Sequence, residues 1–236
     1  DVTYLGVSGD GHLGGLNLST SAYLALGDST RGTFIERKED IRAGFLAAEL
    51  SKDLSWARVR ASLAWASGDP DPFDGRGEGF DAIFENPLFA GADTSFWIRQ
   101  PVPLIGGGRV SLSGRNVMLN SLRHSKEFGQ SNFVNPGLRL AGVGVDLDLT
   151  PTLRLSGNLN YLTFDDTAVL EVARAQAGID REIGLDASLA VIWRPLAIQN
   201  VVARLSVASL VPGAGYRALY GDERAYSVLG NLVLTY

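Results

Sequence analysis

The stretch Ala225-Tyr226-Ser227-Val228-Leu229-Gly230-Asn231-Leu232-Val233-Leu234-Thr235-Tyr236 decides how the rest of the chain is read. Every second residue gives Tyr226, Val228, Gly230, Leu232, Leu234 and Tyr236, an apolar face with an aromatic ring at each tip. The interleaved face, Ser227, Leu229, Asn231, Val233 and Thr235, is mixed and partly polar. A period of two sustained this long is a strand signal. Tyr and Trp rings settle at the two headgroup layers of a bilayer, so the spacing suits a strand that crosses one. It also suits a strand that closes a soluble barrel, and the segment alone does not separate the two.

Composition narrows the field. The chain has 236 residues, 28 Gly, no Cys, 45% hydrophobic residues and a net charge of −5. No apolar run reaches the 18 or so residues of a transmembrane helix, but membrane barrels escape hydropathy because lipid-facing and lumen-facing residues alternate. The acidic balance argues against a general nucleic-acid binder. The sequence opens at Asp1 without a leader, which reads as a processed form or a portion of something longer.

Alternation recurs along the chain. Val2–Ser8 reads as a short strand before a Gly9-Asp10-Gly11 turn, and Leu16–Gly27 as the next strand. Asp40–Ser51 and Ser55–Ser67 form a hairpin around Lys52-Asp53-Leu54, with Ala57, Val59, Ala61, Leu63 and Trp65 on one face. Weak strand character lies at Ser95–Gln100 and better character at Arg109–Leu119. Gly137–Leu149, Leu153–Phe164, Ile183–Arg194 and Val201–Val211 complete the set, with one helical turn suggested near Ala168–Ala177.

The connections sort by parity. Long polar loops fall at about 28–39, 68–93, 120–136, 165–182 and 212–224, and short turns between them at 9–12, 52–54, 101–108, 150–152 and 195–200. A soluble meander has no reason for such sorting, whereas a membrane barrel has short turns on the periplasmic side and long loops outside. The expectation is therefore an all-β, antiparallel up-and-down transmembrane β-barrel in one domain spanning 1–236. Its aromatic girdles are Trp193 and Tyr236 near the periplasmic rim and Trp65, Tyr161 and Tyr226 near the outer rim. About ten or eleven strands are counted, and the odd first strand favours the C-terminal part of a larger barrel.

The closing alternation that ends on an aromatic looks like the C-terminal signature of bacterial outer-membrane barrels. Two loop stretches add to this. One is Ala66-Ser67-Gly68-Asp69 with Gly79-Phe80-Asp81-Ala82-Ile83-Phe84-Glu85-Asn86-Pro87, Phe89-Ala90-Gly91 and Ser95-Phe96-Trp97. The other runs from Leu122-Arg123-His124-Ser125-Lys126-Glu127 through Phe128-Gly129-Gln130-Ser131-Asn132-Phe133-Val134-Asn135-Pro136-Gly137. Together they resemble large bacterial outer-membrane porins of the alginate-export type, in which the matching segment is the C-terminal part of a longer chain. The resemblance implies an outer-membrane location in a Gram-negative envelope, with lipid, lipopolysaccharide and the barrel-assembly machinery as partners. It implies no catalytic residue.

If the apolar stripes face lipid, the opposite stripes line the interior. The cationic candidates there are Arg58, Arg60, Arg109, Arg115, Arg154, Arg194 and Arg204, and the anionic ones Asp146, Asp148 and Asp186. Such charges serve selectivity in a water-filled lumen. The excess of cations predicts a channel for small or polymeric anionic solutes. Equally, Asp146 or Asp148 pairs with Arg154 across neighbouring strands and braces the wall. A second functional reading is a structural barrel that sheathes or anchors another envelope protein. Enzyme chemistry is not expected: no G-x-S-x-G, H-E-x-x-H or P-loop occurs, and Gly75-Arg76-Gly77-Glu78-Gly79 sits in a loop. No cofactor is expected. His12 and His124 are far apart in sequence and have no Cys, making a poor metal site. The acidic group Asp69, Asp71, Asp74, Glu78 and Asp81 could offer oxygen ligands to Ca²⁺, but turn formation around Pro70 and Pro72 is the simpler account.

Overall fold

A computed structural model describes residues 1–30, 32–82, 89–91, 94–99, 102–105, 110–113, 132–195 and 200–234. The first four strands are β1 (Val2–Leu13), β2 (Leu16–Ser29), β3 (Glu39–Leu54) and β4 (Ala57–Ala66). A long connection follows, holding β5 (Arg76–Gly77), α1 (Phe96–Arg99), β6 (Val102–Ile105) and β7 (Val110–Ser113). Then come β8 (Leu138–Thr150), β9 (Leu153–Thr163), α2 (Ala168–Arg174), β10 (Glu182–Trp193), β11 (Val201–Pro212), α3 (Ala214–Tyr220) and β12 (Ala225–Leu234).

Nine of these strands lie side by side as an antiparallel up-and-down meander, β1-β2-β3-β4-β8-β9-β10-β11-β12, and β5 adds a short tenth strand parallel to β3. Among the described residues β1 pairs only with β2 and β12 only with β11, so the sheet is open and not closed into a barrel. The crossing count also changes. Ser95–Gln100 is not a strand: residues 96–99 make one helical turn, whose N–H groups are taken by the Asp186 carboxylate. The strand expected over Arg109–Leu119 reduces, within the described residues, to β7, which pairs with β6 in a separate two-stranded sheet. Consequently β4 pairs directly with β8, and the chain leaves the meander after Ala66 and rejoins it at Leu138, both at the long-loop end. Removing two adjacent crossings leaves the parity of the rest intact.

Two turns shift. Gly9-Asp10-Gly11 lies inside β1, and the chain reverses at Gly14-Gly15, whose φ values of 55° and 84° are those glycine tolerates. The next hairpin turns at Ser55-Trp56 rather than at Lys52-Asp53-Leu54, with Ser55 at φ 59°.

The two faces of the sheet differ in kind. One carries the long connections and buries Leu138, Leu140, Leu162, Phe164, Ile183 and Leu210 beneath Phe80, Trp97, Ile98, Phe133, Val134 and Leu170. Phe45 stacks on Phe80 at 5.4 Å, and Trp97 meets Phe164 edge-on at 6.0 Å. The other face is apolar and bare, including Leu5, Val7, Leu46, Leu63, Val143, Leu159, Leu189, Leu205, Val228 and Leu232. Val7 is 71% exposed and Tyr226 77%. In a water-soluble sheet the polarity runs the other way.

Candidate functional site

The loop-bearing face is the candidate site, and strand register sorts it into three bands. Nearest the long loops it is apolar. The middle is polar, with few ionisable groups: Glu49, Ser62, Gly142, Asn160 and Asp186 align across β3 to β10, and Ser51, Arg60, Gly144, Asn158 and Ser188 align one step below. Nearest the short turns it is charged, with Asp53, Arg58 and Asp146 in one row and Asp148, Arg154 and Arg204 taking part in the next.

Within these rows Arg58, Arg60 and Arg154 are held by carboxylates. Arg58 forks onto Asp53 at 2.5 and 3.1 Å, and Arg154 onto Asp148 at 2.7 and 2.9 Å. Such two-pronged contacts exploit the matching planes of guanidinium and carboxylate. Arg60 reaches across β8: its Nη2 donates to Asn158 Oδ1 at 2.8 Å and to Asp146 Oδ1 at 3.3 Å, while Ser156 Oγ donates to the same oxygen at 2.6 Å. The room for this network is made by glycine. A Cβ on Gly144 would stand 2.7 Å from Asn158 Oδ1 and 2.8 Å from Arg60 Nη2.

Asp186 occupies the predicted face but is only 1% exposed. Ser95 Oγ (2.5 Å), Trp97 N (2.7 Å) and Phe96 N (3.2 Å) all donate to it. The same segment is tied down elsewhere: Ala90 N donates to Glu49 Oε2 on β3, Asn160 Nδ2 on β9 donates to Ala90 O, and Thr94 Oγ1 bonds Ser188 Oγ on β10. Glu49 and Asn160 stand three strands apart, about 14 Å on a flat sheet. That both reach one residue indicates that the sheet bends around this segment. Residues 89–91 and 94–98 thus rest on the polar band, and among the described residues none covers the charged band toward the short turns.

Arg194 lies just beyond β10, where its N–H donates to Thr152 O at 2.8 Å, and Arg204 sits between Ile192 and Asn231 in register. Arg109, Arg115, His124 and Tyr236 lie outside the described residues. Of the loop motifs, 66–69, 79–82, 89–91, 95–97 and 132–137 are described; the rest falls outside. The sequence reading overlooked carboxylates on this face, among them Asp10, Glu49 and Asp53. Their signal was the same alternation that exposed the arginines, since Glu49 pairs with Ser62 and Asp53 with Arg58.

On the bare face, aromatics mark two tiers. Tyr161 and Tyr226 stand exposed toward the long loops, with Trp65 at the same end of the sheet, its ring over Gly44 and its Nε1 donating to Asp165 Oδ1 at 2.9 Å. Trp193 and the unanticipated Trp56 stand exposed toward the short turns. Tyr161 is eight residues from Leu153, the register partner of Trp193. That is about 27 Å along the strand and about 20 Å across a bilayer at the usual tilt.

Among the described residues no cluster of His, Asp and Glu could hold a metal ion. Asp71, Asp74 and Asp69 instead close local turns, accepting backbone N–H groups from Phe73, Arg76 and Asp71. Comparison with known protein families and with curated proteins finds no match to this chain. The likeness to alginate-export-type porins therefore remains an expectation from the two loop motifs.

Proposed function

We propose that this chain forms part of the wall of a bacterial outer-membrane β-barrel, bare apolar face to lipid and loop-bearing face to a polar passage. The observation that carries this reading is the inverted polarity of the nine-strand meander. Its outward stripe is apolar on every strand, while its covered face holds Arg58, Arg60, Asp146, Arg154, Asn158 and Asn160. Burying that outward stripe in hydrocarbon removes the penalty of leaving it in water. The aromatic tiers and the parity of turn and loop lengths support the same orientation, with long connections extracellular and short turns periplasmic.

The passage serves small or polymeric anionic solutes. The support is the set Arg58, Arg60, Arg154, Arg194 and Arg204 on the covered face. The expected excess of cations does not hold among the described residues, because Asp10, Glu49, Asp53, Asp146, Asp148 and Asp186 share that face. Carboxylates also bond the first three arginines, so the selectivity is modest rather than absolute. A second reading, a barrel that sheathes or anchors another envelope protein, is favoured by one observation: residues 89–91 and 94–98 occupy the covered face and narrow any passage along it.

Planar-bilayer recording on the purified protein tests both. The channel reading expects conductance steps and a reversal potential of anion-selective sign in a salt gradient, reduced by Arg154→Gln combined with Arg204→Gln. A folded, membrane-inserted protein without conductance favours the sheath. A protein that shows no heat-modifiable migration on gels and stays in the soluble fraction refutes the membrane wall altogether.

A further inference from the structure

The bare face is not uniform. Across β2, β3, β4, β8 and β9, toward the long loops, it holds an apolar groove of about 580 Å³. Ordinary small-molecule sites run to roughly 300–1,000 Å³, mostly apolar with a few placed polar groups. Strand register sets out the parts. Ala22, Leu46, Trp65 and Arg139 stand in one row, and Ala48, Leu63, Ala141 and Tyr161 in the next row toward the short turns. Small side chains give the groove its depth. Ala141 leaves a gap between the exposed Leu63 and Tyr161, and that gap opens directly below Arg139 on the same strand.

Arg139 is the polar group at the head of this groove. It is level with Trp65, in the aromatic tier where headgroups rather than acyl chains are met. Its Nε donates to Asp165 Oδ1 at 2.6 Å. The same carboxylate accepts Trp65 Nε1 at 2.9 Å and Gly68 N at 2.8 Å. Filled with donors, the Asp165 side chain is only 13% exposed, whereas that of Arg139 is 55% exposed. The pair therefore turns its positive member outward. Bonding through Nε leaves the two Nη nitrogens for a further acceptor, and a guanidinium grips phosphate oxygens in that forked manner. Glu182, beyond Tyr161, is likewise engaged, accepting from the Tyr161 hydroxyl at 3.2 Å and from Ala214 N at 3.1 Å.

We propose that this groove binds one molecule of a lipid with a bare phosphate headgroup, drawn from the leaflet on the long-loop side. The phosphate sits on Arg139, and an acyl chain runs past Ala141 between Leu63 and Tyr161. The proposal rests on the membrane-wall reading and adds a site to it. Solvating lipid covers the whole bare face, but this one molecule is chosen by charge and held by shape. A zwitterionic headgroup carries its own ammonium beside its phosphate and gains less from Arg139.

Native mass spectrometry of the purified protein tests it, in micelles holding equal amounts of dioleoyl phosphatidic acid and dioleoyl phosphatidylcholine. The expected result is a one-to-one adduct of phosphatidic acid, favoured by about tenfold over phosphatidylcholine. Arg139→Gln should remove that preference. Ala141→Phe and Ala48→Phe, each filling the groove, should cut retention of the adduct by about tenfold. Ala203→Phe, on the bare face away from the groove, should leave it unchanged. Heat-modifiable migration shows that each variant is folded. Equal retention of the two lipids by the unmodified protein overturns the proposal, as does an adduct that survives both groove-filling changes. Displacement by inorganic phosphate alone would make this a free-anion site, and a dimer abolished by Ala141→Phe would make it a contact between copies; either overturns the lipid assignment. A protein that is neither heat-modifiable nor retained in membranes fails the membrane-wall reading as well, whereas an inserted protein without lipid preference fails the proposal alone.

Discussion

Asn158 shows how tightly single residues are fitted on the covered face. Gly144 lies beside it in the sheet and Gly91, at φ 68°, lies over it, each where a Cβ would collide with its amide. Gly144→Ala should therefore force Asn158 and Arg60 apart and cost about 1–3 kcal/mol. Gly230→Ala, where nothing lies within 4 Å of the added carbon, should stay within about 0.5 kcal/mol. Urea unfolding in lipid vesicles compares the two directly, and equal shifts would deny the cradle. Asp186 offers a sharper case because two of its three donors are backbone N–H groups that have no alternative once buried. Asp186→Ala should destabilise the docked segment by about 2–4 kcal/mol, since donors to a charged acceptor lose more than neutral pairs. Asp186→Asn, which keeps one oxygen, should lose less. Protease cleavage between residues 89 and 99 reads the loosening, and wild-type resistance in the alanine variant would count against the latch.

The connection after β4 owes its shape to short-range backbone bonds rather than to alternation. Asp69 N donates to Asn135 O, Gly79 N to Phe133 O, and Asn132 N to Asp81 Oδ2 at 2.6 Å. In this knot the Asp69 side chain is nearly inaccessible, and burial pushes its carboxyl pKa up to about 7 from the ordinary 3.8, with nearby Asp74 and Glu78 adding to the rise. The folded state then holds a proton that the unfolded chain releases between pH 4 and pH 7. Stability from this group is accordingly greatest below about pH 4 and falls as pH rises through 7. Asp69→Asn should flatten that slope, as hydrogen exchange of residues 132–135 between pH 5 and pH 8 would show; an unchanged slope would remove Asp69 as its source. The hairpins were legible beforehand because period-two patterning survives in every strand of the meander, and the helical turn anticipated near Ala168–Ala177 is α2, Ala168–Arg174. The docked segment was not, because Ser95-Phe96-Trp97 takes its form from Asp186, ninety residues away, and no local pattern encodes that partner. Helix α3 was missed for a related reason: it has no side-chain cap, and Tyr216 and Leu219 are buried by tertiary packing.

At the scale of the whole molecule the question is which solvent the bare face meets, and neighbouring residues on β12 decide it. Val228 points outward, 64% exposed, while Ser227 points to the covered side. Val228 stands in register with Val207 of β11, which continues through Leu189 to Gly157, midway between the aromatic tiers. At that depth a bilayer makes Val228→Arg cost about 2–4 kcal/mol, because the guanidinium must be buried or drag water inward. Ser227→Arg places the same charge on the polar side, among residues that already accommodate arginine, and should cost well under half as much. In water the order reverses: Val228→Arg would break up an exposed apolar stripe and improve solubility, while Ser227→Arg would crowd a half-buried position. Folding of both variants into vesicles, followed by denaturant titration, therefore separates the two environments by sign as well as size. A Val228→Arg protein as stable as wild type would mean that the outward stripe never enters hydrocarbon, whatever the strand count of the ring it completes.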